Sequence, residues 1–425
     1  MAKFLEIFRH PDIRKKVLII MGLLVFFRVL AAIPLPGVDL EALKGLLAAN
    51  NFFGILNIFS GGAIGTLSIA LLGVGPYITA TIILQVLTMV FPRLKEIYYE
   101  EGAAGRAKFN RLSRFITVPL AVLQTYALLT FLVAQRVFPA FSLLDLSFWI
   151  NALTATAASM ILLFVGEIID EQKLGNGVSL IIFAGIVAGL PMTLGNIYAQ
   201  FTEGLMRWDT LIVIAALALI VIAGVVFVNQ GEHKIAVSYP KRIRGNRVYG
   251  GGESYLPIRV NQAGVIPIIF AMAMLSFPQM IGQLIVNFIP KAAGVNEAII
   301  RLMNNHVAYG IIYFLLVFLF TYFYTAVVFN PQEISKNLQQ SGGFIPGIRP
   351  GEPTSKRLSS IVKKITLFGA LFLGIIAVLP IVTQSFVGQN FVIGGTALLI
   401  VVSVALDSWN QIDSQLKMRE YEVTE

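Results

Sequence analysis

The sequence predicts an all-α polytopic membrane protein with ten transmembrane helices in two inverted halves of five, and three observations carry that expectation. Charged residues make up 13% of the 425 positions, about half of the roughly 25% usual in a soluble domain. Hydrophobic residues reach 56%, and most fall in runs too long for a globular core. Lys and Arg are distributed unequally between alternate connecting segments, as in a chain threaded through a membrane. In hydrocarbon each backbone N–H and C=O must find a partner inside its own segment, so spans of this length are helices.

In chain order the apolar spans are 17–34, 74–92, 115–135, 148–168, 178–192, 209–229, 262–277, 308–329, 365–383 and 391–406. Those at 178–192 and 262–277 are short, so their ends are defined only to within several residues. The first span follows a basic leader (Arg14, Lys15, Lys16) and ends near Ala31-Ala32, as a signal peptide does. It is longer than a typical cleaved apolar region, and Pro34 and Pro36 follow it, so the reading is a retained signal anchor. With the N-terminus inside, inner segments hold 26 of the 32 basic residues and outer loops hold five, Lys44, Arg136, Arg207, Lys291 and Arg301. Both termini are therefore expected in the cytoplasm. The same asymmetry accounts for the net charge of +9 without nucleic acid as the main partner. The chain has no cysteine, hence no disulfide framework and no thiolate nucleophile.

Five spans precede the 193–208 loop and five follow it, which divides the chain into residues 1–192 and 193–425. Five is odd, so the second half enters the membrane in the opposite sense, the arrangement of an inverted repeat. Span two opens Gly73-Val74-Gly75-Pro76-Tyr77-Ile78 and span seven opens Gly264-Val265-Ile266-Pro267-Ile268-Ile269. Both read G-V-x-P-x-I at the second helix of a half, and helix breakers at matching positions point to a functional site between halves. Residues 52–72 are apolar and adjoin span two, but Gly61, Gly62 and Gly65 break the run. The stretch Phe53–Ser60 is too short to cross, so it is either a re-entrant segment sheltered by protein or an interfacial helix on the outer face.

Two inner loops are long. In 230–261 the arms KIAVSYP and SYLPIRV flank the tip KRIRGNRVYGGG, a pattern for a projecting hairpin that carries Lys241, Arg242, Arg244 and Arg247 at its end. In 330–361, Pro331 opens a short helix and SGGFIPGIRPGEP runs irregularly up to Lys356 and Arg357. Charge concentrated at a tip suits docking on a large acidic surface. Other chemistry is missing. His10, His233 and His306 lie outside the spans, which leaves no intramembrane metal site or His-based dyad. No G-x-x-x-x-G-K-[ST] loop occurs. The one clear intramembrane charge is Arg28, expected to bond backbone carbonyls or a partner helix, and no acidic residue lies near a midplane. A coupled solute transporter, the first rival reading, would place relay carboxylates there. A membrane-embedded enzyme, the second, would need a nucleophile and base at one depth.

PGVD (Pro36–Asp39), GVGPYITATIILQ (Gly73–Gln85), KLGNGVSLIIFAGIVAGLP (Lys173–Pro191), NQAGVIPIIFA (Asn261–Ala271) and GGFIPGIRPGEPT (Gly342–Thr354) together resemble the bacterial SecY channel subunit family, in order and over essentially the whole chain. The resemblance implies a clamshell of two five-helix halves around a central hourglass pore. Motif position then makes Ile78, Ile82, Ile182, Ile186, Ile269 and Ile400 the constricting ring. Residues spaced i, i+4 share a helix face, and an apolar collar fits chains of any sequence and dewets when empty. The resemblance further implies a plug at Phe53–Gly65, including Phe53, Ile55, Leu56, Ile58, Phe59, Gly61 and Gly62. It implies a lateral gate between spans two and seven, with Thr79, Gln85, Gln124 and Pro267 along it. Docking residues for a ribosome (including its RNA) or the SecA motor ATPase would be Lys241, Arg242, Arg244, Arg247, Arg349, Lys356 and Arg357. Where the family often carries paired arginines this chain has Asn246-Arg247. The implied partners also include the SecE and SecG subunits, unfolded preproteins with their signal sequences, and membrane lipid. The implied location is the bacterial inner membrane, with no cofactor.

Overall fold

The computed structural model describes residues 10–36, 63–99, 101–134, 137–139, 145–204, 207–239, 241–244, 247–250, 253–288, 293–387 and 395–424. All ten apolar spans fall on helices. Helix α1 (Pro11–Ala32) starts with proline, whose missing N–H is no loss in a first turn. It buries Ile13, Ile20, Phe27 and Ala31, spaced by whole turns, and leaves Leu18, Met21, Val25 and Val29 outward. A helix apolar on both faces is solvated by lipid on one of them. Arg28 is half-buried, its guanidinium 6.0 Å from the centroid of the Phe27 ring.

Residues 63–74 are a buried run of turns rather than a helix. Ala63, Ile64, Leu67, Ser68 and Leu71 are almost wholly enclosed, and Leu35 N bonds Leu67 O at 2.8 Å while Ile69 N bonds Ile33 O at 2.9 Å. Irregular backbone at membrane depth survives only inside protein, because there its polar groups find partners. The rest of the apolar run, 53–62, with Phe53, Ile55, Leu56, Ile58, Phe59, Gly61 and Gly62, lies outside the described residues.

Helices α2 (Gly75–Val90) and α3 (Pro92–Tyr99) meet at a bend of 115°. Phe91, the residue before proline, is forced out of helical backbone (φ −104°, ψ 109°), which produces the bend. The N-terminal half continues with α4 (Gly102–Ala134), α5 (Leu146–Glu171) and α6 (Gly177–Thr202). Then come α7 (Trp208–Gln230), strands β1 (Glu232–Ser238), β2 (Lys241–Arg244), β3 (Arg247–Gly250) and β4 (Glu253–Arg259), and α8 (Ile266–Phe288). The chain ends with α9 (Ala293–Asn304), α10 (His306–Val328), α11 (Pro331–Gln340), α12 (Glu352–Val387) and α13 (Gly395–Thr424).

Among the described residues six helices are long and apolar enough to cross a membrane, or seven if α2 and α3 count as one bent span. Helix α1 is diluted by Lys15, Lys16 and Arg28. Several boundaries move. The loop expected at 193–208 shrinks to 203–207, because α6 runs through Pro191 to Thr202. A proline inside a membrane helix costs less than in water, since neighbouring groups re-satisfy the freed carbonyl. Helices α4 and α12 each start thirteen residues before their apolar spans at 115 and 365, on their charged sides.

The largest apolar cluster draws on both halves, from α1, α2, α5 and α6 to α7, α8, α10, α12 and α13. Within each half neighbours pack in sequence, α2 on α4, α4 on α5, α8 on α10 and α10 on α12. The halves meet where α8 touches α2 and α4, and again where α13 touches α6.

Candidate functional site

The six isoleucines expected in the ring all belong to, or pack against, the large apolar cluster shared by the two halves. Ile78 and Ile82 from α2, Ile182 from α6, Ile269 from α8 and Ile400 from α13 are buried in the largest cluster, at 5%, 5%, 2%, 5% and 1% exposure. Ile186, one turn beyond Ile182, is half-buried and packs against the same cluster. Four helices, two from each half, thus contribute these aliphatic side chains to the cluster.

The helices that open this centre begin alike. Gly73 and Gly264, the first residues of the two G-V-x-P-x-I segments, both have left-handed backbone, φ 53° and 60°. Each has its carbonyl held by a polar side chain. Ser159 Oγ on α5 donates to Gly73 O at 2.6 Å, and Asn261 Nδ2 donates to Gly264 O at 3.2 Å. The repeat read weakly from sequence is therefore repeated in conformation. Asn261 Nδ2 also donates to Asn229 Oδ1 (2.7 Å), and Asn229 Nδ2 donates to Ser403 Oγ (2.6 Å), which ties the end of α7 to α13. Sequence reasoning missed Ser159, Asn229, Asn261 and Ser403. Asn261 stood in a quoted motif, but nothing in one sequence pairs it with positions 229 and 403. Alanine at Gly73 or Gly264 should cost about 1–2 kcal/mol, the penalty of a left-handed L-residue, and thermal unfolding of the reconstituted channel would measure it.

The expected gate residues lie on α2, α4 and α8, and α8 packs on both of the other helices. Thr79 and Gln124 are buried and bonded, Gln124 Nε2 donating to Thr79 Oγ1 at 3.3 Å. That tie is internal to the first half, α2 to α4. Gln85 is half-buried, its amide beside the Tyr98 hydroxyl and its Oε1 buried without a hydrogen-bond partner among the described residues. Pro267 is buried in the first turn of α8. Behind it Phe270 meets Phe320 and Tyr324 of α10 edge-on, with centroids 5.9 and 6.1 Å apart.

The hairpin expected at 230–261 is present. Strands β1 and β4 pair from Glu232↔Arg259 to Ser238↔Glu253, and beyond them β2 and β3 pair from Lys241↔Gly250 to Arg244↔Arg247. The four basic residues Lys241, Arg242, Arg244 and Arg247 thus lie on the distal ladder. The second loop leans on the base of this hairpin, a contact the sequence did not reveal. Ser238 and Phe344 exchange two backbone bonds of 2.9 and 3.0 Å, and Ile235 and Ile258 share a core with Ile345, Leu358 and Val362. As expected, Pro331 opens a helix, capped by Asn330 Oδ1 accepting from Gln332 N and Glu333 N. Arg349, Lys356 and Arg357 are exposed on this platform, and Lys356 pairs with Glu352 at 2.8 Å. Among the described residues no group of His, Cys, Asp or Glu could hold a metal ion.

A helical membrane channel, with a large apolar cluster shared between two halves and two long basic loops packed together, is the class that these features define. The chain belongs to the SecY family, whose model matches residues 68–409. It is 41% identical over 440 aligned residues to protein translocase subunit SecY of Streptomyces galbus, with 99% of each chain covered. To the same subunit of Mycobacterium bovis it is 40% identical over 446, again with 99% of each chain covered. Among solved structures it resembles one described as a protein conducting channel, with TM-score 0.66 and 20% identity over 93% of this chain and 91% of that one. It also resembles Sec61 in the canine ribosome–channel complex from the endoplasmic reticulum, with TM-score 0.63 and 19% identity over 93% and 91% of the chains. At these identities the solved structures establish the shared fold.

Proposed function

We propose that this chain forms the pore through which unfolded secretory polypeptides cross the bacterial cytoplasmic membrane, and that it releases transmembrane segments sideways into lipid. It catalyses no covalent chemistry and takes its driving force from a motor or a ribosome. The observation that carries this reading is the convergence of six isoleucines from four helices, two in each half, on one apolar cluster. A ring of that kind closes on itself when empty and yields to a polypeptide without binding its side chains. The chain crosses ten times, with divisions at 1–192 and 193–425 and both termini in the cytoplasm, on the 26-to-5 partition of basic residues. The segment 53–65 acts as the plug that seals the outer vestibule. Lys241, Arg242, Arg244, Arg247, Arg349, Lys356 and Arg357 dock the SecA motor or ribosomal RNA, and SecE and SecG stand beside the chain in the membrane. The packing of the two long loops against each other, with Arg349, Lys356 and Arg357 exposed on the second, supports the docking reading.

The absence of native cysteine gives the test. Single cysteines at Ile182 and Ile269 should each form a disulfide with a cysteine in a stalled secretory polypeptide, and one at the outward-facing Leu371 should not. Adducts at neither isoleucine in a folded, motor-bound channel would overturn the reading in favour of a solute transporter. The lateral gate offers a second expectation. Replacing Gln124 by Leu removes its bond to Thr79, worth about 1 kcal/mol, and places apolar surface at the seam with α8. The gate should close more tightly and demand more hydrophobic signals, as should Gln85→Leu. Export of a graded series of signal sequences measures the threshold, and an unshifted threshold for both variants would refute the role.

A further inference from the structure

The seam between α13 and the first half has a feature that the pore and gate do not use. At the Lys16 end of α1 the first and last helices of the described chain touch. Ile13 and Leu416 are buried in one small cluster, with Val17, Trp409 and Ile412 packed around them. Beside this contact one side chain uses both ends of its amide. Gln415 Nε2 donates to Lys173 O at 2.7 Å, and Gln415 Oε1 accepts from Lys16 Nζ at 3.0 Å. A single residue of the second half thereby holds two separate segments of the first, α1 and the α5–α6 turn.

The turn is built to present that carbonyl. Lys173 has left-handed backbone, φ 58°, one of two such non-glycine residues among those described. A conformation that costs an L-residue energy persists only where its surroundings over-determine it. Two residues on, a Cβ at Gly175 would stand 2.8 Å from Ser408 Oγ, so the turn lies flush on α13.

We propose that Gln415 is a positioning residue, the key of a fixed clasp about which the two halves pivot when α2 and α8 part. The halves are also joined covalently, through 203–207 at the far end of α6. Lys173 precedes the near end of the same helix, whose 26 residues span about 39 Å at 1.5 Å each. Two fixed points on one side of the molecule define an axis along α6. Elsewhere the halves meet where α8 packs on α2, and Ile78, Ile82, Ile268 and Ile269 of these helices are buried in the large apolar cluster. Such contacts are non-directional and can slide, whereas two short hydrogen bonds from one planar amide fix distance and angle. The clasp makes the side of α13 and α6 the hinge and leaves the side of α2 and α8 to move.

The inference rests on the channel reading, so the test uses the assembled channel in membrane vesicles with its motor and a secretory preprotein. If the unsubstituted channel fails to translocate, the channel reading has failed and not the clasp. Gln415→Leu, which removes both bonds, should lower translocation per inserted channel about fivefold, the factor for roughly 1 kcal/mol of lost positioning. Val17→Cys with Ile412→Cys, two half-buried members of the same small cluster, joined by oxidation to a disulfide after assembly, should leave the rate of an otherwise unchanged channel unaltered. The same bridge should restore the Gln415→Leu channel. A purely folding role would lower the number of inserted channels, and a bridge added afterwards could not repair that. Failure of the pair to bridge, a bridged channel that is blocked, an undiminished Gln415→Leu rate, or no rescue by the bridge would each overturn the proposal.

Discussion

Ile182→Asp is expected to make the resting channel leak. Ile182 is 2% exposed, within the apolar cluster that also holds Ile78, Ile82, Ile269 and Ile400. A carboxylate placed there has no partner, and burying an unpaired charge costs several kcal/mol. The closed ring can relieve that cost only by admitting water. A hydrated constriction conducts where a dewetted one does not, and each 1.4 kcal/mol shifts a population about tenfold. Ion efflux from vesicles carrying Ile182→Asp should exceed that of the unsubstituted channel by at least about tenfold. Ile182→Leu should match the unsubstituted channel, because shape changes little and no charge enters. Ile186→Asp should leak less, since Ile186 is only half-buried and its carboxylate keeps access to water. Equal, low efflux from all four would show that the cluster is not the seal.

Gly177→Ala carries the largest expected loss of stability. A Cβ at Gly177 would lie 1.9 Å from Gly166 O and 2.6 Å from Gly166 C, both backbone atoms of α5. Neither can swing aside as a side chain would, so α5 and α6 must separate. The contact is anchored by Asp170 Oδ1, which accepts from Gly177 N at 2.7 Å, and by Asn176, whose side chain caps α6 through Ser179 N. Separation loses both helix packing and these polar contacts, which places the cost above about 3 kcal/mol, in the range reserved for core disruption. Much less Gly177→Ala channel should accumulate in the membrane, and what is recovered should unfold at lower temperature in a nanodisc. Alanine at Gly189, which has open space around it, should be near neutral. A Gly177→Ala channel with unchanged accumulation and unfolding temperature would show that the two helices are not in contact.

Much of this molecule is legible in its sequence because the bilayer makes helix formation nearly local. Whether 209–229 lies in a membrane depends on the summed transfer energy of its own side chains, and α7 follows it to within a residue or two. The hairpin at 232–259 was legible for a similar reason, since alternation and a turn-rich tip are short-range signals. The α6 end was misplaced because proline and glycine end helices in water but are tolerated in lipid. The ring isoleucines needed more than periodicity. Ile78/Ile82 and Ile182/Ile186 share helix faces in sequence, yet isoleucines turned to lipid have the same spacing, and only the family motifs singled these out.

The sequence by itself determined the class, the apolar spans and the paired G-V-x-P-x-I breaks, all of which follow from composition and spacing along the chain. Tertiary structure alone decided what those segments meet. It placed Ser159 on the Gly73 carbonyl and Asn261 on that of Gly264, closed the Gln124–Thr79 tie inside one half, leaned the second loop on the hairpin, and set Gln415 between Lys16 and Lys173. The physical reason is range. Partition into lipid is a sum over neighbouring residues, whereas a hydrogen bond across 242 or 399 positions exists only after the helices have packed and brought donor and acceptor within 3 Å.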